Sequence, residues 1–81
     1  MRVKVKVFAS FREICGFTEK ELIVSDEIKV LEIVDVLIKS SIGLAEKKDT
    51  LLVAVNEEYC DLNMTLHEGD TVALFPPVSG G

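Results

Sequence analysis

Apolar and polar side chains alternate along the first part of the chain. In residues 2–9 the odd positions are apolar and the even positions are mostly charged. This period of two predicts a strand with one buried face. A second strand is predicted over residues 18–25, with Leu22 and Val24 pointing inward. Gly16 is expected to turn the chain between them, so the two segments form a hairpin.

The period changes to about 3.6 residues in the next segment, residues 28–42. Polar residues occupy the other stripe of this segment, which predicts an amphipathic helix. Ser25 or Asp26 is expected to cap its start, and Gly43 is expected to end it. The apolar positions that define the pattern are Val30, Leu31, Ile33, Val34, Leu37 and Ile38.

Three later segments carry strand patterns. Residues 51–55 form a continuous apolar run, typical of a strand buried on both faces. Residues 59–62 predict a short edge strand after a turn at residues 56–58. Residues 71–75 predict the last strand, preceded by a turn in which Gly69 supplies a positive φ. Two prolines then end the strand, because proline donates no ladder hydrogen bond.

These elements predict an α+β fold in which one sheet packs on one main helix. If the first and last strands lie side by side at the centre, the fold is a β-grasp (ubiquitin-like) fold with a mixed sheet of four to five strands. A ferredoxin-like fold is disfavoured because it needs a second helix. The predicted organisation is a β-grasp domain over residues 1–75 and an extended carrier tail over residues 76–81.

Size and charge exclude several classes of function. The 81 residues are 48% hydrophobic and 28% charged, which is typical of one small folded domain. The net charge of −5 repels phosphates, so nucleic acid is not an expected partner. The first residues do not resemble a targeting peptide, and no apolar run reaches the ~18 residues of a membrane span. We therefore expect a soluble cytoplasmic protein without a membrane partner.

Side chains that usually carry chemistry are few. Cys15 and Cys60 have no metal-ligand or redox spacing, and both are predicted to be reduced thiols rather than sulfur carriers. His67 lies in a polar turn, where a ligand or base role is disfavoured, and no metal site is predicted. Arg12 is a conceivable partner contact, although a solvated charge is the preferred interpretation.

The end of the sequence is its most distinctive chemical feature. The prolines Pro76 and Pro77 favour an extended conformation, and at ~3.3 Å per residue the tail would reach roughly 20 Å. Glycines at its tip can enter a narrow channel. The functional group at the tip is the α-carboxylate of Gly81. The segment in full is Phe75-Pro76-Pro77-Val78-Ser79-Gly80-Gly81.

That carboxylate needs activation before it can react. It is ionised at neutral pH and is a poor electrophile, and a mixed anhydride with AMP is the simplest active form. The sequence has neither a glycine-rich phosphate loop nor a nucleophile–base pair. We therefore expect activation by a partner enzyme that uses ATP in trans, with no cofactor bound to this chain.

The tail resembles the signature of the small subunit of molybdopterin synthase, a β-grasp sulfur carrier. The resemblance extends along the chain: Phe8-Ala9 followed by Arg12-Glu13, the strand that ends at Val55-Asn56, and Leu66 through Gly69-Asp70 all suit that family. The related sulfur carrier of thiamine biosynthesis shares the fold and the Gly-Gly end but lacks the Phe-Pro-Pro element.

The resemblance implies a cycle of loading and transfer. A ubiquitin-activating-type adenylyltransferase would adenylate Gly81, and a sulfur donor enzyme would convert it to a thiocarboxylate. The loaded tail would enter the large subunit of a heterotetrameric synthase and donate sulfur to cyclic pyranopterin monophosphate. The catalytic side chains would belong to the large subunit.

Strand alternation places two aromatic residues on the outer face of the sheet. Phe8 follows the charged face of the first strand, and Phe75 lies opposite the buried face of the last strand. A docking patch at the root of the tail is expected, and the resemblance adds Tyr59 to it. The alternative is that these rings pack under a loop.

Other functions share the same tail chemistry. The chain could carry sulfur for thiamine or for a tungsten-type pterin cofactor. It could instead be a ubiquitin-like modifier that forms isopeptide bonds through Gly81, or an adaptor with an inert tail. The Phe-Pro-Pro element favours the molybdopterin carrier.

Overall fold

A computed structural model describes residues 1–77 of the chain, without the side chain of Ile42. Within this part, strands and helices follow one another in the order β1 Arg2–Val7, α1 Ser10–Cys15, β2 Glu19–Ile23, α2 Val30–Ser40, α3 Ile42–Ala45, β3 Leu52–Val55, β4 Glu58–Cys60 and β5 Thr71–Phe75. No helix among these residues is both long and apolar enough to cross a membrane.

The strands form one mixed sheet in the order β2-β1-β5-β3-β4. The first and last strands, β1 and β5, run parallel at the centre, with Val5 opposite Val72. The neighbouring pairs β1–β2, β3–β5 and β3–β4 are antiparallel. The predicted α+β, β-grasp arrangement is confirmed.

The inner face of the sheet and the apolar face of α2 form the core. Alternate residues of β1 and β5 point inward, and a helical stripe from α2 covers them, as the two periods predict. Burial of each large apolar side chain stabilises the fold by about 1.5–3 kcal/mol. The fully buried members are Val3, Val5, Val7, Val30, Ile33, Val34, Leu37, Val72 and Leu74, with Phe11, Leu44 and Leu66 closing the ends.

The predicted boundaries of the main helix were wrong at both ends. The N-cap is Lys29, whose backbone N–H donates to the Glu32 carboxylate at 2.8 Å, so Ser25 and Asp26 do not cap the helix. The helix ends at Ser40. Gly43 lies inside α3, where a Cβ would be 3.3 Å from Ile14, so it serves close packing of α1 on α3 instead of ending α2.

Residues 10–15, which carry no strand pattern, form the unpredicted helix α1. Its Phe11 side chain is fully buried, and Gly16 ends it in the left-handed conformation at φ 80°. Ala9 precedes it at φ 52°, which is unfavourable for a residue with a Cβ and turns the chain sharply out of β1. The first strand therefore ends at Val7 rather than at residue 9.

The later strands agree more closely with the prediction. Residues 53–55 are buried on both faces, although Leu52 is 38% exposed. Strand β4 covers residues 58–60 instead of 59–62, because the turn takes only Asn56 and Glu57. Gly69 has φ 83°, and the last strand covers residues 71–75 as predicted.

Candidate functional site

The outer face of the sheet is divided into a charged half and an apolar half. The charged half is formed by β1 and β2, whose outward side chains pair across the strands. Lys4 and Lys6 each lie 3.8 Å from the Glu19 carboxylate, and Arg2 lies 4.0 Å from that of Glu21. Exposed pairs of this kind contribute at most about 1 kcal/mol each. The charges are therefore largely matched within this half.

The apolar half is centred on three aromatic rings, here named the aromatic cluster: Phe8, Tyr59 and Phe75. The rings of Phe8 and Phe75 are stacked, with centroids 4.6 Å apart and planes 10° apart. The Tyr59 ring is tilted at 53° with its centroid 6.0 Å from that of Phe75. Both phenylalanines are half-buried, while Tyr59 is 73% exposed. The structure thus brings together all three residues predicted to form a docking patch.

Strand register explains why these rings meet. The pairing of Val7 with Leu74 carries Phe8 alongside Phe75, and the Phe8 backbone N–H donates to the Leu74 carbonyl at 3.2 Å. On the other side, the register of β3 with β4 places Tyr59 opposite Ala54. Ala54 and Ala73 are themselves paired on the outer face. Their small side chains leave room between the aromatic rings.

This arrangement creates a groove of about 650 Å³ on the outer face. The aromatic cluster lines one part of it, and Ala54 and Ala73 form its floor. Polar side chains complete the lining: Asn56 and Glu57 at the β3–β4 turn, Thr71 hydrogen-bonded to Asn56, and Lys6 in register with Ala73. A groove lined by aromatic rings in one part and by polar side chains in another suits a protruding partner segment better than a small metabolite.

The predicted tail begins beside the aromatic cluster. Strand β5 ends at Phe75, and Pro76 and Pro77 follow outside any strand, the first half-buried and the second exposed. Four predicted tail residues lie outside the described residues: Val78, Ser79, Gly80 and Gly81. The cluster therefore surrounds the position at which the chain leaves the sheet.

Arg12 occupies a position that sequence reasoning missed. Its guanidinium lies over the Phe8 ring at 5.6 Å from the centroid, and its Nε donates to the Val7 carbonyl at 3.3 Å. The turn at Ala9 and the first turn of α1 bring it back over the end of β1. Because that turn depends on an uncommon backbone conformation, no residue pattern would have predicted this contact.

The cysteines are placed as structural side chains. Cys15 and Cys60 are free and half-buried, and burial raises the pKa of both thiols. Asp61 adds to the effect at Cys60 because its negative charge opposes a thiolate. Both thiols are therefore protonated, weak nucleophiles at neutral pH.

His67 stands apart from the aromatic cluster, in the turn before β5. Its side chain is 78% exposed, and its Nδ1 lies 3.9 Å from the Asp70 carboxylate. Within residues 1–77, no group of three or more histidine, cysteine, aspartate or glutamate side chains is arranged to hold a metal ion. The aromatic cluster and its groove are therefore the candidate site within the described residues.

Comparison with known proteins identifies the family. The sequence matches the ThiS family over residues 5–81. The chain belongs to the ThiS family. This ThiS-family chain is similar to the molybdopterin synthase sulfur carrier subunit of Anopheles gambiae, with 40% identity over 86 residues that cover 100% of the chain and 93% of the relative.

Two solved structures extend the comparison of this ThiS-family chain. Small archaeal modifier protein 1 of Methanosarcina acetivorans superposes with a TM-score of 0.80 at 31% identity, covering 99% of this chain and 96% of that one. A complex of subunits 1 and 2 of the molybdopterin-converting factor of Helicobacter pylori contains a chain that matches with a TM-score of 0.69 at 28% identity, with 100% coverage of both chains. The β-grasp fold is common to all of them.

Proposed function

We propose that this chain is the sulfur-carrier subunit of a molybdopterin synthase. The observation that carries the proposal is the position of the aromatic cluster at the root of the Pro76-Pro77 segment. The cluster provides a docking surface there, and the segment leads to two glycines at the end of the sequence. Similarity to a sulfur carrier subunit over the whole chain supports the same conclusion.

In the proposed cycle the chain supplies a carboxylate, and partners supply the catalysis. An adenylyltransferase joins the Gly81 carboxylate to AMP from ATP and releases pyrophosphate. A sulfur donor enzyme then supplies sulfur at the oxidation level of sulfide, which displaces AMP from the acyl carbon and leaves a thiocarboxylate. The thiocarboxylate sulfur forms a C–S bond to a side-chain carbon of cyclic pyranopterin monophosphate in the large subunit and displaces the oxygen substituent of that carbon. Hydrolysis of the acyl–sulfur bond then leaves the sulfur on the pterin and restores the Gly81 carboxylate. ATP is used in trans, and no cofactor binds this chain.

Docking of the large subunit is assigned to the groove on the outer face. Aromatic residues that are partly exposed in a free subunit become the strongest contacts once a partner excludes water. The Helicobacter pylori complex, in which the matching chain is bound to a second subunit, supports a partner of this kind. A heterotetramer of two small and two large subunits is the proposed assembly, and ATP-dependent loading together with free thiols favours the cytoplasm.

A protein modifier is the second candidate function. The specific observation in its favour is the similarity to the small archaeal modifier protein of Methanosarcina acetivorans. A modifier would use the same adenylated Gly81, but a lysine amine of a target protein would replace AMP. The fold does not separate the two functions because both need an accessible tail beside a docking surface.

Reconstitution with the large subunit tests the proposal. The chain, the adenylyltransferase, ATP and a sulfur donor are combined with the large subunit and cyclic pyranopterin monophosphate. Deletion of Gly81 is expected to abolish thiocarboxylate and molybdopterin formation, because no correctly placed carboxylate remains. A variant with Cys15→Ala and Cys60→Ala serves as the control and is expected to retain both. Full molybdopterin formation by the Gly81 deletion would contradict the proposal.

A further inference from the structure

Arg12 is a pre-oriented cation at the edge of the aromatic cluster. Two contacts hold it: the hydrogen bond from its Nε to the Val7 carbonyl and the stacking of its guanidinium on Phe8. An arginine side chain usually loses about 2 kcal/mol of rotamer entropy when it is fixed. Part of that loss has already occurred here, before any partner binds.

The guanidinium of Arg12 keeps most of its hydrogen-bonding capacity. It carries five N–H donors, of which the Val7 carbonyl takes one. No carboxylate of residues 1–77 lies within 4.0 Å of it, whereas Lys6, the neighbouring cation on this face, is paired with Glu19. The remaining donors form a planar fork that matches the geometry of a carboxylate.

We infer that Arg12 binds an aspartate or glutamate carboxylate of the large subunit and thereby sets the orientation in which that subunit docks. The inference rests on the proposed function. A partner that covers the stacked rings would also desolvate Arg12, and a buried cation without a carboxylate is costly. The partner is therefore expected to place an acid there.

Charge over the rest of the docking face makes this contact directional. The chain carries a net charge of −5, and Glu57 lines the groove at the β3–β4 turn, while Lys6, the other charged lining residue, is paired with Glu19. The contacting surface of a complementary partner is thus basic on average, but it carries a negative charge opposite Arg12. A partner docked in the opposite orientation would place a base against Arg12, which is unfavourable.

Affinity for the large subunit, measured by calorimetry at low and high salt, tests the inference. Arg12→Gln is expected to weaken binding by at least about tenfold and to reduce its salt dependence, since a desolvated charge pair is lost. Arg12→Lys is expected to keep the salt dependence and recover part of the affinity, because lysine keeps the charge but lacks the planar fork. This second variant also reports on the contact if the first one folds poorly.

Lys20→Gln is the matched control. Lys20 is also stacked on a ring, 5.7 Å from the centroid of Phe17, so its loss changes the net charge equally at a different place. It is expected to change the affinity by less than about twofold. Equal affinities and equal salt dependence for Arg12→Gln and Lys20→Gln would overturn the inference but not the proposed function.

Two further outcomes separate the inference from its alternatives. An Arg12→Gln effect that vanishes when the α-carboxylate of Gly81 is converted to an amide would assign the guanidinium to this chain's own C-terminal carboxylate, and the inference would fall. No binding of the unsubstituted chain to the large subunit would overturn the proposed function and the inference with it.

Discussion

Phe8 contributes both to the stability of the fold and to the proposed docking surface. Its ring stacks on that of Phe75, and the Arg12 guanidinium lies over the Phe8 ring. An aromatic pair of this geometry contributes about 0.5–1.5 kcal/mol beyond its buried area. Because the ring is only half-buried in the free chain, more of its surface remains for a partner to cover.

Phe8→Ala is therefore expected to affect binding more than folding. We expect a loss of about 1–2 kcal/mol in the free energy of unfolding and at least a ~30-fold weaker complex with the large subunit. Urea denaturation and calorimetry measure the two effects. Ile23→Ala is the control, because Ile23 is an 81% exposed apolar residue on the charged half of the same face. A large loss of stability with an unchanged complex would show that Phe8 only supports the fold.

The two cysteines allow a prediction of pH dependence. Burial raises the pKa of Cys15 and Cys60 above the ordinary value of a cysteine thiol, so the folded state favours the protonated thiol. Alkylation by iodoacetamide is expected to be slow at pH 7 and to rise by about tenfold per pH unit until the pH reaches the raised pKa, because the thiolate is the reacting form. Unfolded protein in urea provides the reference and is expected to react faster at every pH. Faster alkylation of the folded protein at pH 7 would contradict this assignment and revive a role for cysteine in carrying sulfur.

At the scale of secondary structure, the β3–β4 turn shows how side chains hold an unusual backbone. Asn56 and Glu57 both have positive φ, at 50° and 72°, which is the geometry of a two-residue hairpin turn. The Asn56 side chain supports it by donating to Asp70 at 2.9 Å and accepting from the Thr71 N–H at 3.0 Å. These bonds also tie the turn to the start of β5.

Glu57→Gly is expected to stabilise the fold. A residue with a Cβ in the left-handed region costs about 1–2 kcal/mol, and removing that strain outweighs the greater entropy of glycine in the unfolded chain. We expect a net gain of about 1 kcal/mol, seen as a higher urea midpoint. Glu58→Gly is the matched control, because Glu58 lies in β4, where glycine is expected to destabilise. A lower midpoint for Glu57→Gly would contradict the turn assignment.

The sequence predicts well those elements in which the hydrophobic pattern repeats several times. The alternation in β1 and the helical stripe in α2 each repeat several times, and both elements were placed within a few residues. Helix α1 was missed because six residues give too few repeats to define a period. The Lys29 cap was missed because the cap depends on Glu32 reaching back to a backbone N–H, not on the residue type at the cap itself.

At the scale of the whole molecule, the tail root is anchored in a central strand of the sheet. Strand β5 is paired on both sides, in parallel with β1 and antiparallel with β3, and its inward residues are fully buried. Such a strand opens only with the global unfolding of a domain. The body of the protein thus holds the departure point of the tail in a fixed relation to the docking groove.

The candidate site was predictable in part, for physical reasons. The position of the two phenylalanines on the outer face follows from strand alternation, because successive side chains of a strand point to opposite faces of the sheet. Tyr59 required the family resemblance, since β4 is too short to show a pattern. Arg12 depends on the backbone conformation at Ala9, which no period reveals. Catalytic groups could not be predicted, because the proposed mechanism assigns them to other proteins.

Mass spectrometry of the intact chain recovered from its native cells tests the central claim most directly. We expect a fraction of chains to be heavier by the difference between one sulfur and one oxygen atom, with the change located at Gly81 by fragmentation. Treatment with an alkylating reagent is expected to label that same terminal group, because a thiocarboxylate is a strong nucleophile at neutral pH. Chains found only as larger conjugates through Gly81, with no sulfur-bearing form, would contradict the sulfur-carrier function and favour the modifier.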